Sequence, residues 1–299
     1  KENEIKNTLD SVLKQTFQDF EIIIVNDGST DNSLINARSV LDDRISIYST
    51  ENLGVSHARN YGIEKSHANY IAFLDADDLW YFNHLAELKN LILDFPGCGM
   101  YCKAYEKNYY NKYITPANYN DLDKKFRGII NDYFKHSLID SVAWTSGLAL
   151  PKSVIDTVGN FDERLGSVQD TDLWIRISLN HKLAFDRKIS VRRHFGTEGH
   201  LSKFYDVNER SLFLKNFKNL QKNNASLKKF MDYNRFAYAI QRKLKGDLKT
   251  CNKIISDIDS NNLNLKRKLL IKLPSKTLKV TKIIQESLVR KGWYLSPFK

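Results

Sequence analysis

Ile5, Leu9, Val12 and Leu13 share one face of the segment from 4 to about 16, which predicts an amphipathic helix. Glu21-Ile22-Ile23-Ile24-Val25 is instead a continuous apolar run rich in β-branched residues. That pattern predicts a strand buried on both faces of a parallel sheet. It runs into the turn cluster Asn26-Asp27-Gly28-Ser29-Thr30-Asp31, after which a second helix is predicted near 31–41. The alternation continues with a strand at 44–48, a loop through Gly54, a helix near 56–66 and a strand at 70–74. Such a sequence of elements predicts an α/β fold with a doubly wound, mostly parallel sheet, whose ligands gather beyond the carboxyl ends of the strands. The polar clusters after Val25 and after Leu74 fall at those ends.

Downstream the pattern weakens. Residues 97–140 carry seven tyrosines, from Tyr101 to Tyr133, in a polar context, and read as loops and short elements lining an acceptor cleft. Residues 144–159 read as a strand, a turn at Pro151 and a short helix, and Asp172 to Leu179 again has helical spacing. Beyond about 200, Gly and Pro almost vanish and Lys-rich helical patterns dominate. The expected organisation is an α/β domain over 1–205 and a basic helical region over 206–299.

Composition changes this picture at a few points. With 42% hydrophobic and 27% charged residues, 13 Gly and 5 Pro in 299, the chain is neither collagenous nor globally disordered. No apolar run approaches the roughly 18 residues of a spanning helix, and the opening Lys-Glu-Asn-Glu lacks the apolar core of a secretory signal. Cys98 and Cys102 lack the paired spacing of a zinc site, and with Cys251 they read as free thiols of a reducing, cytoplasmic compartment. The net charge of +11 suggests nucleic acid until it is divided along the chain. Residues 201–299 hold 23 Lys+Arg against 7 Asp+Glu, a balance of +16, and residues 1–200 are mildly acidic. Between Leu265 and Leu273, Lys266, Arg267, Lys268 and Lys272 interleave with Leu and Ile. No zinc-finger, basic-zipper or RNA-recognition signature accompanies them, so no nucleic-acid partner is expected. A solvated helix face, or peripheral contact with an anionic membrane on its inner side, remains for the basic tail.

Three segments carry candidate chemistry. In Phe73-Leu74-Asp75-Ala76-Asp77-Asp78, carboxylates gathered at a strand end repel one another unless a cation joins them, and Mg²⁺ or Mn²⁺ suits oxygen ligands and phosphates. The same residues also suit capping of the element that starts at Leu79-Trp80. Asp27 ends its strand where it can accept a hydrogen bond from a base N–H, with Gly28 allowing the tight turn. The plainer alternative is a strand-to-helix turn capped by Ser29 or Thr30. Asn52 to Gly62 is a loop leading into a helix whose first turns present Arg59, either to a phosphate or to solvent.

In this order and spacing the three segments resemble the nucleotide-sugar-binding half of the inverting family 2 glycosyltransferases of the GT-A fold. Trp144-Thr145-Ser146-Gly147 and Val158-Gly159-Asn160-Phe161-Asp162-Glu163 resemble that family's approach to the acceptor site. Gln169-Asp170-Thr171-Asp172-Leu173-Trp174-Ile175-Arg176 is similar to its Glu-Asp-x-Asp-Leu-Trp-x-Arg stretch. Arg192-Arg193-His194, with Gly196 and Leu201-Ser202, is similar to its closing His-containing loop. The resemblance spans about residues 1–205. It implies metal-dependent, inverting transfer from a nucleotide sugar, UDP-linked, to a glycan or lipid-linked acceptor in bacterial surface polysaccharide synthesis. It further implies Asp27 on the base, Asp75 on the ribose, Asp77 at Mg²⁺ or Mn²⁺ on the diphosphate, His194 at the metal or the diphosphate, and Asp170 as general base.

These roles agree with the chemistry, since a metal stabilises charge on a departing diphosphate and a carboxylate opposite it can take the acceptor's proton. The alternatives are the N-cap of a helix starting near Asp172 for Asp170, a surface imidazole for His194, and a basic nucleic-acid-binding or inactive GT-A-like binding protein. Gln169 stands where many relatives carry Glu. The chain also begins after the point of the family's usual first strand, and so reads as N-terminally truncated. That reading leads to the expectation of unpaired strand edges and weak donor binding.

Overall fold

The computed structural model describes residues 1–195 and 207–293. Helix α1 (Ile5–Leu13) is followed by β1 (Ile22–Asp27), α2 (Ser33–Arg38), β2 (Ile45–Thr50), α3 (Val55–Lys65) and β3 (Tyr70–Ala72). This is the alternation that local periodicity predicts. Ile5, Leu9 and Val12 form the buried face of α1. Strands β1 and β2 pair in parallel from Ile22–Ile45 to Asp27–Thr50. Of the apolar run in β1 only Ile22 is fully buried, and Ile23, Ile24 and Val25 are half-buried. A two-stranded sheet gives its faces fewer neighbours than the expected doubly buried strand would have.

The second sheet is built from β3 and from β4 (Leu79–Trp80), β5 (Met100–Tyr109), β6 (Tyr113–Pro116), β7 (Arg127–Ile130), β8 (Leu148–Pro151) and β9 (Leu183–Phe195). Helices α4 (His84–Asp94), α5 (Tyr133–His136), α6 (Lys152–Val158) and α7 (Gln169–Asn180) connect them. The order is β3-β8-β5-β9-β4, with β6 beside β5 and β7 beside β9. Its longest ladder is parallel, running from Met100–Leu183 to Tyr109–Phe195 and irregular around Ala104. Among the described residues β1 and β3 each have one strand partner, so the strands fall into two separate sheets.

Two expectations are corrected here. Residues 100–109 are not loop but a long buried strand, and Tyr101 and Tyr105 lie in the core rather than along a cleft. The polar residues that obscured this strand are neutralised from elsewhere. Lys103 Nζ lies 2.7 Å from Glu87 and 2.6 Å from Asp186, and Lys107 Nζ lies 2.5 Å from Asp140. Arg192, Arg193 and His194 likewise belong to β9 rather than to a loop. Gly196, Leu201 and Ser202, assigned with them from the sequence, lie outside the described residues.

The C-terminal region is helical: α8 (Val207–Asn216), α9 (Ala225–Leu244), α10 (Leu248–Ser256), α11 (Leu265–Lys272) and α12 (Ser275–Arg290). Side-chain caps start three of these helices, Asn224 accepting from Leu227 N, Asp247 from Thr250 N and Asn264 from Arg267 N. Phe213, Phe217, Leu227, Phe230 and Met231 join the same apolar core as Met100, Phe185 and Val191. Beyond them, Phe236, Ile240, Leu263, Leu270 and Leu278 form a smaller cluster. The three cysteines are buried free thiols. No helix among the described residues is long and apolar enough to cross a membrane.

Candidate active site

The turn after β3 carries Asp75, Asp77 and Asp78 and is fastened from several sides. From α1, Thr8 Oγ1 donates to the carbonyls of Ala76 at 2.9 Å and Asp78 at 3.0 Å. Ser146 Oγ donates to Asp78 Oδ2 at 2.6 Å and accepts from Asp75 N at 3.1 Å. Trp144 Nε1 donates to the same carboxylate at 3.0 Å, and His194 N donates to its other oxygen at 3.1 Å. Burial first, and then the nearby Asp75 carboxylate, push the Asp78 pKa upward. Asp78 therefore organises the turn from within. Sequence reasoning gave it no role of its own, because its partners lie 66, 68 and 116 residues away. The Trp144-Thr145-Ser146-Gly147 segment serves here as the clamp on the acidic turn.

His194 stands near the end of β9 with Nδ1 2.8 Å from the Asp77 carbonyl. A carbonyl only accepts, so Nδ1 carries the proton, and Nε2 is the nitrogen that has a lone pair in the neutral ring. The Asp77 carboxylate lies 2.6 Å from Lys1 Nζ, so a cation already stands at it. Asp77 and His194 are the residues that could hold a divalent metal. Among the described residues no three His, Cys, Asp or Glu side chains form a protein-only metal cage. Mg²⁺ is commonly held by one or two carboxylates together with substrate phosphates, and the donor set here fits that kind of shared site.

Arg59, on α3, is mostly buried, with 13% of its side chain exposed, and its Nη2 lies 2.8 Å from Asp75 Oδ1. Its guanidinium carbon is 5.3 Å from the centre of the Phe161 ring, and Nη1 is buried without a hydrogen-bond partner. The alternative of a solvated surface arginine is thereby excluded. At the end of β1 the Asp27 carboxylate accepts from Leu53 N at 2.8 Å and Gly54 N at 2.9 Å, fastening the loop that leads into α3. Gly28 follows with φ 62°, and a Cβ there would come within 2.8 Å of Asn52 N. Left-handed backbone and close approach together require glycine at this position.

Asp170 lies in the first turn of α7, inside the helix rather than at its cap, which is Val168. Its Oδ1 accepts from Thr171 N at 2.6 Å and Thr171 Oγ1 at 3.2 Å. One turn further on the same face, Trp174 packs with Phe73 at 6.3 Å and Phe161 at 5.9 Å between ring centres, and those two rings lie 5.5 Å apart. Phe73 precedes Asp75 by two residues, so this cluster ties the helix bearing Asp170 to the acidic turn. Arg176 extends the tie, binding Asp172 at 2.8 Å and donating to the carbonyls of Val158 and Asn160. Asn60, beside Arg59, both donates to and accepts from the Phe161 backbone at 3.0 Å. Gln169 is buried, with Oε1 lacking a partner.

Residues 1–145 match the profile described as Glycosyl transferase family 2. An uncharacterised glycosyltransferase of Rickettsia felis is 30% identical over 213 residues, covering 69% of this chain and 34% of the relative. A second, from Rickettsia bellii, is 32% identical over 233 residues, covering 76% and 31%. Glycosyltransferase GlyA of Streptococcus pneumoniae is 31% identical over 220 residues, covering 71% and 28%. The chain thus spans about a third of the length of these relatives. The crystal structure of S. aureus TarS 1–349 in complex with UDP-GlcNAc superposes with a TM-score of 0.68 at 17% identity, covering 98% of this chain and 90% of that one. The α/β architecture is therefore that of the GT-A fold, and the chain belongs to glycosyl transferase family 2.

Proposed function

We propose that this chain is a metal-dependent, inverting glycosyltransferase that moves a sugar from a UDP-sugar to a hydroxyl of a glycan or lipid-linked acceptor in surface polysaccharide synthesis. The observation that carries this reading is Arg59, whose buried, unpartnered Nη1 lies beside Asp75 at the end of the strand. A buried donor of this kind is satisfied by an anionic oxygen, and the diphosphate of a nucleotide sugar supplies several. The complex of TarS with UDP-GlcNAc supports a nucleotide-sugar donor.

In this reading Asp27 takes the base, each of its oxygens keeping a second lone pair beyond the bonds to Leu53 and Gly54. Asp75, oriented by Arg59 and Ser146, takes the ribose. Asp77 and His194 would hold Mg²⁺ or Mn²⁺, and the metal would supply Lewis-acid stabilisation of charge on the departing diphosphate. Asp170, carried on a helix locked to the acidic turn, removes the proton from the acceptor hydroxyl as that oxygen attacks the anomeric carbon. Displacement from the side opposite the leaving group inverts the centre.

A donor screen following nucleoside diphosphate release tests this reading. Asp170→Asn keeps the shape of the side chain and removes its basicity, with an expected loss of about 10²–10⁴-fold in turnover. Asp77→Ala is expected to lose transfer and its response to added Mg²⁺ or Mn²⁺. Unchanged transfer in both variants would falsify the assignment.

A further inference from the structure

The basic tail acquires a defined face in three dimensions. Residues 265–293 hold nine Lys+Arg and one acidic residue, Glu286. Helix α12 packs inward through Leu278 and Val289, and α11 through Leu270 and Arg267, whose guanidinium lies 3.9 Å from the centre of the Tyr233 ring. The outward side is strongly apolar. Val280, Ile283 and Ile284 form an i, i+3, i+4 stripe on α12, exposed by 54%, 66% and 53%, and Leu265 and Leu269 on α11 are exposed by 73% and 56%. Lys276, Lys279 and Lys291 are exposed beside that stripe, whereas Lys282 lies in the row of Leu278 and Val289 and pairs at 3.9 Å with Glu286. Trp293, 69% exposed, stands just beyond the end of α12.

We propose that α11 and α12 form a docking surface for an anionic phospholipid bilayer, with the Ile283–Ile284 stripe entering the interface and the lysines meeting acidic headgroups. Charge complementarity selects an anionic partner, and the apolar stripe selects a bilayer among anionic partners. A soluble polyanion would pair with the lysines and leave isoleucines in water, whereas the headgroup–acyl boundary accommodates both. The surface also has a position relative to the site. Arg290 lies 5.6 Å from the centre of the Tyr110 ring, in the turn between β5 and β6. Tyr109 stacks at 4.7 Å on Phe195, the residue after His194. The docking helices thus abut the end of the sheet that carries His194. Docking does not depend on the transfer chemistry proposed above, and its test needs no donor or acceptor.

The full chain is to be sedimented with vesicles of phosphatidylglycerol and phosphatidylcholine in equal parts, and with phosphatidylcholine alone. Binding is expected to the anionic vesicles only, weakening with salt, with a blue shift of tryptophan emission that is lost in Trp293→Phe. Changing Lys276, Lys279 and Lys291 to Gln is expected to weaken binding by about fivefold per lysine, on the order of a hundredfold together. Ile283→Ser with Ile284→Ser, at exposed positions and with an unchanged circular dichroism spectrum, is expected to weaken it by tenfold or more, roughly. No sedimentation with anionic vesicles at low salt would overturn the proposal. So would undiminished binding by the double serine variant, which would mark simple charge attraction. Self-association of the chain that the double serine variant abolishes would assign the stripe to a second copy instead.

Discussion

Thr145 and Ser146 are adjacent, almost fully buried hydroxyl residues, and the structure gives them opposite worth. Ser146 Oγ is bonded twice, at 2.6 Å to the Asp78 carboxylate and at 3.1 Å from Asp75 N. Thr145 Oγ1 is buried with no partner. A hydrogen bond to a charged group contributes about 1.5–3 kcal/mol, and a buried donor stripped of its acceptor costs about 1–3 kcal/mol. The Asp75 amide is only partly buried, so water recovers some of the second contribution. Ser146→Ala is therefore expected to lower the unfolding free energy by about 2–4 kcal/mol. Thr145→Val replaces an unsatisfied hydroxyl by a methyl group of similar size. It should be neutral or stabilising, within about 1 kcal/mol. Urea unfolding followed by circular dichroism reads both variants, with the slope checked for constancy so that the midpoint reports stability. If Ser146→Ala stays within about 0.5 kcal/mol of the parent, or if Thr145→Val falls as far as Ser146→Ala, the clamp on the acidic turn has been misread.

Two further predictions concern buried charge. Lys107→Met leaves the Asp140 carboxylate buried without its ammonium, at an expected loss of about 3–5 kcal/mol. Adding Asp140→Leu should recover part of that loss, and a double variant no more stable than Lys107→Met in urea would contradict the pairing. His84 is fully buried, with Nδ1 2.8 Å from Ser190 Oγ and its ring stacked on Trp80. Burial, and then the charge of Lys103, lower its pKa to about 3. Between the unfolded value and 3 the unfolded chain binds a proton that the folded chain refuses, so stability falls as pH falls. The slope should reach about 1.4 kcal/mol per pH unit between pH 6 and 4. Unfolding free energies of His84→Gln against pH should be flatter by that amount, and parallel curves would sink the argument.

The elements legible in the sequence are those specified by local pattern. The apolar face of α1, the runs of β1 and β2 and the spacing of α3 each bury side chains in a period that a short window reveals. The order of the Asp27, Arg59, Asp75–Asp78 and Asp170 segments was also legible, because each follows a strand or opens a helix. Strand β5 was not, since Lys103, Glu106 and Lys107 interrupt its apolar pattern. A lysine can occupy a buried strand position only when carboxylates reach it from distant chain segments, here Glu87, Asp186 and Asp140. The end of β9 was expected as a loop on the family resemblance of Arg192, Arg193 and His194, and the structure places them in the strand.

The sequence by itself determined the α/β alternation, the family and the gathering of carboxylates at strand ends, because these rest on residue type and near-neighbour spacing. Tertiary structure alone decided which acid serves which purpose. Asp77 and Asp78 are indistinguishable as neighbours in a turn. Asp78 becomes a buried hub because Trp144, Ser146 and the His194 amide converge on it, whereas the Asp77 carboxylate meets a cation. The basic tail divides in the same way. Its composition fixed the sign of the charge, but only packing against α9 set which side of α11 and α12 is covered, turning Arg267 inward and leaving Ile283 and Ile284 exposed. Long-range burial assigns these roles, since desolvation and partner geometry depend on residues that the chain brings together only on folding.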